Sequence, residues 1–428
     1  MSVNSADFKS AASADSATGL RIQTTDPVHA VTCATDLFFL VMPSPQSGAP
    51  LLGLTVVDLG RVLAAPFATS TLASLGARVI KVERPGSGDD ARAFGPHVDG
   101  HSVYFASVNC DKESIALDLT RAEDRTAFET LLAQADVLVE NFRPGTLARL
   151  GYSWEVLHRR YPRLIYAAVS GFGATGPLSK NAAYDIIAQA LSGMMSITGN
   201  PGAPPVRVGA SIGDLVAGLY LALGIVSAVH RRATTGRGCM VDVAMLDSQV
   251  AFLEAAITAH TAAGADPKPR GTRHPSIAPF QAFECADRWI VIAAGNDELF
   301  RGLCMAIGRS EVAVDQRFAT NADRLANIDA LDAEVTATLR TAPAHHWIAA
   351  LHSAGVPCAV IQTIPEMVRM EQLRARDMII PIDDPQMPGA SVPNTPIKMS
   401  DFEVATSRRR PPRLDEHGDA LRREFGSG

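Results

Sequence analysis

Short β-branched runs, each followed by a stretch of helix length, set the pattern of this chain from Leu52 onward. LTVVDL (54–59), ARVIKVE (77–83), ESIALDL (113–119), DVLVEN (136–141), LIYAAVSGFG (164–173) and CMVDVAM (239–245) read as strands. They are apolar at successive positions, so both of their faces should be covered. Segments 64–75 and 122–135 read as the helices that cover them. Strand–helix alternation of this kind predicts an α/β fold with a mainly parallel sheet.

Two further helices are expected at 184–198 and 214–232. The second is apolar almost all round, which places it in the core or in a subunit interface. Another apolar helix is expected over roughly 246–264. Residues 265–275 (ADPKPRGTRHP) are polar and proline-rich and read as a linker. The expected organisation is a large domain over 51–264, a small α/β domain over 276–365, and a return segment over 366–428 that completes the large domain. In the small domain, strands are expected near 280–284, 289–294 and 355–361, with helices near 297–307 and 323–340.

Residues 1–50 are rich in Ser, Ala, Thr and Asp without amphipathic periodicity, and read as a poorly ordered leader. Met42 stands as an alternative translation start. No apolar run reads as long enough to cross a bilayer. The net charge is −6, with no long basic run, which argues against a nucleic-acid partner. The densest basic cluster, RRRPPR (408–413), reads as a solvated tail segment. Cys33, Cys110, Cys239, Cys285, Cys304 and Cys358 form no paired metal spacing, so they read as free thiols in a reducing cytoplasm, and no metal is expected.

No short catalytic motif marks a site. Asp214 stands out because it begins an apolar helix after Gly-Ala-Ser-Ile-Gly. By position alone it reads first as a helix N-cap; the alternative is a functional carboxylate at a helix start, where amides favour negative charge.

Several segments, in order, resemble the family III CoA-transferases, a family that also includes the α-methylacyl-CoA racemases. They are VVDLGRVLAAPFATSTLASLGARVIKVERPGSGDD (56–90), NCDKESIALDL (109–119), ADVLVENFRPGTLARLGYSWE (135–155), GFGATGPLSKNAAYD (171–185), GASIGDLVAGLY (209–220) and TGRGCMVDVAMLDSQ (235–249). The small-domain segments HPSIAPFQAF (274–283) and AAGNDELF (293–300) look closest to the succinate–hydroxymethylglutarate type. The resemblance implies a Rossmann-like large domain plus a small α/β domain, in a homodimer whose subunits interlock like links of a chain. It implies Asp214 as the covalent catalyst, with coenzyme A or acyl-CoA as substrate rather than tightly bound cofactor. It also implies CoA contacts at Arg61, Leu63, Ala64, Arg84, Leu117, Asp118, Leu119, Thr120, Asn141, Phe142, Arg143, Arg149 and Ala182 through Asp185, including Tyr184. Thr120 and Ala182 replace lysines of the formyl-CoA transferase pattern.

The implied reaction passes CoA between carboxylic acids through an aspartyl anhydride and an aspartyl-CoA thioester. Amides near Gly209 and Gly213, and the small-domain loop, are candidate oxyanion donors. The implied substrates are succinyl-CoA or another dicarboxylyl-CoA as donor, and an acceptor such as glutarate, hydroxymethylglutarate, itaconate, citramalate or mesaconate. Arg92, Arg273 and His274 are candidate cations for a remote carboxylate. Two alternatives remain. One is a racemase, disfavoured because Tyr184 stands where that branch has histidine. The other is a non-catalytic CoA-binding member of the fold.

Overall fold

The computed structural model describes residues 48–426. The leader, the Met42 alternative and Cys33 lie wholly or almost wholly outside the described residues. Six strands build the central sheet: β1 (Thr55–Asp58), β2 (Arg78–Glu83), β3 (Glu113–Ala116), β4 (Val137–Glu140), β5 (Ile165–Ser170) and β6 (Met240–Ala244). Their order is β3-β2-β1-β4-β5-β6 and every pairing is parallel. The chain therefore winds outward from β1 in one direction and from β4 in the other. The reversal leaves a crevice beyond the carboxyl ends of these two neighbours, where ligands of such sheets bind.

Both faces are covered, as the continuous apolar runs require. On one face α1 (Ala64–Ser74) and α4 (Ile212–Thr235) pack over Val56, Val79, Val139 and Val169. On the other, α2 (Ala122–Gln134) buries Phe128, Leu131 and Leu132 against Val57, Ile80, Ile115 and Leu138. Helices α1 and α4 cross closely because α4 carries Gly218. A Cβ there would lie 2.5 Å from the Ala64 carbonyl oxygen.

The expected helix over 184–198 is broken. Its first part is α3 (Asp185–Leu191); Gly193 then turns left-handed at φ 89°, and a separate turn covers Met194–Ile197. The expected helix over 246–264 likewise divides into α5 (Met245–Ala251) and a second piece, Glu254–Ala263, that buries none of its residues. Helix α4 begins at Ile212 rather than Asp214. It is long and apolar enough, by length and composition, to cross a membrane, which corrects the reading that no run reaches that length. Val216, Ala217, Leu221, Ala222 and Ile225 point into the core. Leu219, Leu223 and Val226 remain exposed.

Beyond residues 265–275, which form no regular element, strands β7 (Phe280–Glu284), β8 (Trp289–Ala293) and β9 (Cys358–Val360) make an antiparallel sheet. Helices α6 (Asp297–Ala306), α7 (Ile328–Leu339) and α8 (Ala344–Ser353) pack on it around Phe283, Phe300, Phe318 and Trp347, a core separate from the first two. Residues 379–409 add a three-stranded sheet that packs on Ala106 and Cys110. The last helix, α9 (Gly418–Phe425), lays Leu421 and Phe425 into the core beside α2.

The RRRPPR segment is not a solvated tail. Arg408 is buried, 3.0 Å from Asp111 Oδ2, and Arg409 Nη2 donates to the Asp111 carbonyl at 2.7 Å. Arg410 pairs with Glu416, and Arg413 with Asp384. The cluster fastens the returning chain to the large sheet.

Candidate active site

The loop between β1 and α1 carries Gly60, Arg61, Val62 and Leu63 to the mouth of the crevice. Its shape is imposed by side chains from three directions. Asn141, just after β4, accepts the Arg61 N–H at 2.8 Å and donates to the Arg61 carbonyl at 2.7 Å. Lys81 Nζ donates to the Gly60 carbonyl at 2.6 Å. Asp89 Oδ1 accepts the Val62 N–H at 2.9 Å. Val62 is held at φ 65°, a left-handed conformation that a β-branched residue adopts only under constraint.

That constraint rests on a buried charge cluster. Lys81 and Asp89 are 2.9 Å apart with side chains at 0% and 1% exposure. Lys112 meets Asp58 at 3.0 Å, both fully buried. Burial opposes the Lys81 charge, but Asp58 and Asp89 outweigh it and hold the ammonium above its ordinary value. Burial likewise opposes the Asp89 charge, and Lys81 wins, keeping that carboxyl low. The sequence carried one sign of this cluster, the acidic end of GSGDD (86–90), but not its partners.

Two cavities open beside the loop. The first, about 440 Å³, is lined by Arg61, Leu63, Ala64, Asn141, Phe142, Arg143, Ala182, Ala183, Tyr184 and Asp214. The second, about 380 Å³, is lined by Arg61, Arg84, Leu117, Asp118, Leu119, Thr120 and Phe142. Arg61, Phe142 and Thr146 belong to both, so the two are neighbours across these side chains. Phe142 is fixed by Glu140, whose Oε2 accepts its N–H at 2.5 Å while Oε1 accepts the Tyr166 hydroxyl at 2.8 Å. Burial pushes the Glu140 carboxyl up to about 7.

Most of the expected contact residues thus converge, with two exceptions. Arg149 lines neither cavity, and its Nη2 donates to Thr146 Oγ1 at 3.0 Å. Asp185 is buried and absent from both walls. The Asn141 amide, expected to face a ligand, is engaged by the Arg61 backbone. Arg143 is exposed and has no ion-pair partner among the described residues. The expected remote-carboxylate cations fare differently. Arg92 is taken by Glu83, at 2.6 Å, and by the Pro412 carbonyl. Arg273 is taken by Asp329 and Asp332. His274 Nδ1 accepts the Ser276 N–H at 3.1 Å.

Asp214 is the third residue of α4, not its N-cap. The helix cap is Ser211, which makes no capping hydrogen bond. The Gly213 N–H instead donates to Asp185 Oδ1 at 2.7 Å. That amide is therefore not available as an oxyanion donor. The Asp214 carboxylate has no hydrogen-bond partner among the described residues and faces the first cavity. Burial, and then the charge of Asp185, push it up to about 7. Burial, then the charge of Asp214, push the Tyr104 phenol up. Nearby, α1 starts at Ala64 with Leu63 in the cap position and no side-chain cap. Its first amides have no partner within the helix, and Leu63 and Ala64 line the Asp214 cavity.

Comparisons with known proteins bear on this geometry. Residues 51–418 match the family model described as CoA-transferase family III. An acetyl-CoA:oxalate CoA-transferase of Acetobacter aceti is 47% identical over 90% of this chain and 98% of its own length. A succinyl-CoA:glutarate CoA-transferase of Mus musculus is 37% identical, covering 87% of this chain and 86% of its own. The crystal structure of a CAIB/BAIF family protein from Brucella suis superposes with a TM-score of 0.80 at 40% identity, covering 88% of this chain and 99% of its own. The fold is an α/β one whose two described cavities open at the switch point of a parallel sheet. The chain belongs to CoA-transferase family III and is a CoA-transferase.

Proposed function

We propose that the chain moves CoA from an acyl-CoA donor to a short dicarboxylate, with Asp214 carrying first the acyl group and then CoA. The observation that carries this reading is the Asp214 carboxylate itself. It is half-buried, free of hydrogen-bond partners among the described residues, and opens on a 440 Å³ cavity beside the uncapped start of α1. Such a carboxylate is poorly solvated, so its ionised form is a stronger nucleophile than one in water.

Asp214 attacks the donor thioester, giving an acyl–aspartyl anhydride and releasing CoA thiolate. The thiolate attacks the aspartyl carbonyl, forming an aspartyl-CoA thioester and freeing the donor acid. The acceptor carboxylate then attacks that thioester, forming a second anhydride and thiolate. Attack of the thiolate on the acceptor acyl carbon yields the new acyl-CoA and restores Asp214. The amides at the start of α1 suit the developing oxyanions. The second cavity, with Arg84 at its rim and apolar Leu117, suits the nucleotide end of CoA, and Phe142 lies between that end and the thioester. Arg143, unpaired among the described residues, suits either a phosphate or the distal carboxylate.

The substrates for which the relatives are named support a dicarboxylate acceptor: oxalate, glutarate and, for a Haloarcula hispanica relative 38% identical, mesaconate. We further propose two domains divided near residues 265–275, and a homodimer of interlocked subunits. The exposed Leu219, Leu223 and Val226 on α4, with Phe252 and Ile257, support an extensive apolar interface. The five described free cysteines suit a reducing cytoplasm.

The test is a panel of oxalate, glutarate, mesaconate and citramalate, with formate and propionate as monocarboxylates, given acetyl-CoA or succinyl-CoA, with acyl-CoA products read by mass. We expect at least one dicarboxylate to be converted and monocarboxylates to lag. No transfer to any acid, combined with deuterium exchange at the α-carbon of a 2-methylacyl-CoA, would favour the racemase alternative.

A further inference from the structure

Two buried glutamines lie behind Asp214, and neither lines a cavity. Gln189 is fully buried and sits one helical turn after Asp185 on α3, so both side chains leave the same face. Its Nε2 donates to Asp185 Oδ2 at 2.8 Å, and its Oε1 accepts the Val208 N–H at 2.9 Å. Asp185 Oδ1 accepts the Gly213 N–H at 2.7 Å. The pair therefore grips Val208 and Gly213, the two ends of the segment that runs from the preceding loop into the first turn of α4, just before Asp214.

The grip leaves no slack at Gly213. A Cβ there would stand 2.5 Å from Gln249 Nε2 and 3.0 Å from Asp185 Oδ1. Gln249 is itself fully buried, and its Oε1 lies 3.4 Å from Ser192 Oγ. From the solvent side Arg207, the residue just before this segment, approaches Asp185 Oδ2 at 4.0 Å and donates to the Val208 and Gly209 carbonyls at 3.1 and 3.0 Å. Thus the residue immediately before Asp214 is fixed by contacts from α3 and α5, while the Asp214 side chain is left free.

We infer that Gln189 is a positioning residue for Asp214: with Asp185 it clamps both ends of the 208–213 segment and so sets where the attacking carboxylate stands. The inference rests on the reading of Asp214 as nucleophile. Gln189 touches no cavity wall, so its removal should leave acyl-CoA binding intact. It should slow attack instead, because displacing a reacting group by about 1 Å costs on the order of 100-fold. A purely structural glutamine would change stability without changing the attack step at saturating donor.

The experiment uses the full chain and its Gln189→Leu and Gln189→Asn variants. Succinyl-CoA or acetyl-CoA is added without acceptor, the reaction is quenched at short times, and hydroxylamine-sensitive adduct on the Asp214 peptide is quantified. We expect acyl-CoA affinity within about twofold of wild type. Adduct formation at saturating donor should fall roughly 10- to 100-fold. Gln189→Asn keeps the amide but shortens its reach, and decides the matter if Gln189→Leu does not fold. Adduct formation at the wild-type rate in a folded variant would overturn the clamp alone. Failure of both variants to fold would assign Gln189 to stability and overturn it too. No adduct on Asp214 in wild type, while transfer proceeds, would overturn the nucleophile and the clamp with it.

Discussion

Replacing Asp214 by asparagine removes an ionisable group while keeping its shape, and the structure fixes the sign of the effect on stability. In the unfolded chain the carboxyl titrates near 3.8; in the folded protein burial and Asp185 move it to about 7. Between those values the folded state holds a proton that the unfolded state has released. Wild-type stability therefore falls as pH rises from about 4 to about 7, by up to about 1.4 kcal/mol per pH unit, and the loss is complete above 7. The full span amounts to an upper figure of about 4 kcal/mol. Water in the cavity screens a half-buried carboxylate, so we expect roughly half of that. Asp214→Asn carries no such penalty. Urea unfolding of both proteins at fixed protomer concentration, at several values between pH 4.5 and pH 8.5, reads the difference directly. The variant should gain on wild type steadily up to neutral pH and hold its lead above it. A stability difference that does not change with pH would refute the argument that Asp214 is held in a desolvated site next to a second negative charge.

Three further outcomes follow from the same geometry. Asp185→Asn keeps an acceptor for the Gly213 amide but removes the charge, so the acid limb of the kcat/KM profile, expected near 7 in wild type, should move to lower pH; an unmoved limb would contradict the coupling. Lys81→Met leaves Asp89 buried without its partner, and should cost about 3–5 kcal/mol in chemical denaturation; a loss under about 1 kcal/mol would show that the pair does not hold the Val62 loop. Arg143→Gln should raise KM for acyl-CoA or acid about tenfold, equivalent to about 1.4 kcal/mol, with kcat nearly unchanged. Unchanged KM for both would remove Arg143 from the binding set.

The strands were legible because both faces of the sheet are covered, so LTVVDL and LIYAAVSGFG carry consecutive apolar residues rather than alternating ones. Their order was legible only as a class, since nothing local to β3 or β6 says that each ends at an edge. Asp214 was legible as a residue at a helix start, but not as an uncapped carboxylate. The side chain that takes the neighbouring amide, Asp185, comes from 28 residues earlier, and propensity alone assigns that task to Asp214. Arg92 reads as a free cation for the same reason: its partner Glu83 and the Pro412 carbonyl become neighbours only in the folded chain. The RRRPPR segment shows the effect at its longest range, with Asp111 about 300 positions away. Gly193, by contrast, carried a local sign of the break between α3 and the next turn, which the apolar pattern around it masked.

The covalent role of Asp214 is tested most directly by oxygen tracing. In the proposed sequence each acceptor carboxylate that becomes a thioester leaves one of its oxygens on the aspartate. The full chain should be incubated with unlabelled acyl-CoA and a doubly oxygen-18-labelled dicarboxylate, and the Asp214 peptide then sequenced by mass spectrometry. The account predicts heavy oxygen on Asp214, one atom after a single turnover and up to two after many, and none on Asp185. An unlabelled Asp214 in protein that has formed the new acyl-CoA would contradict it.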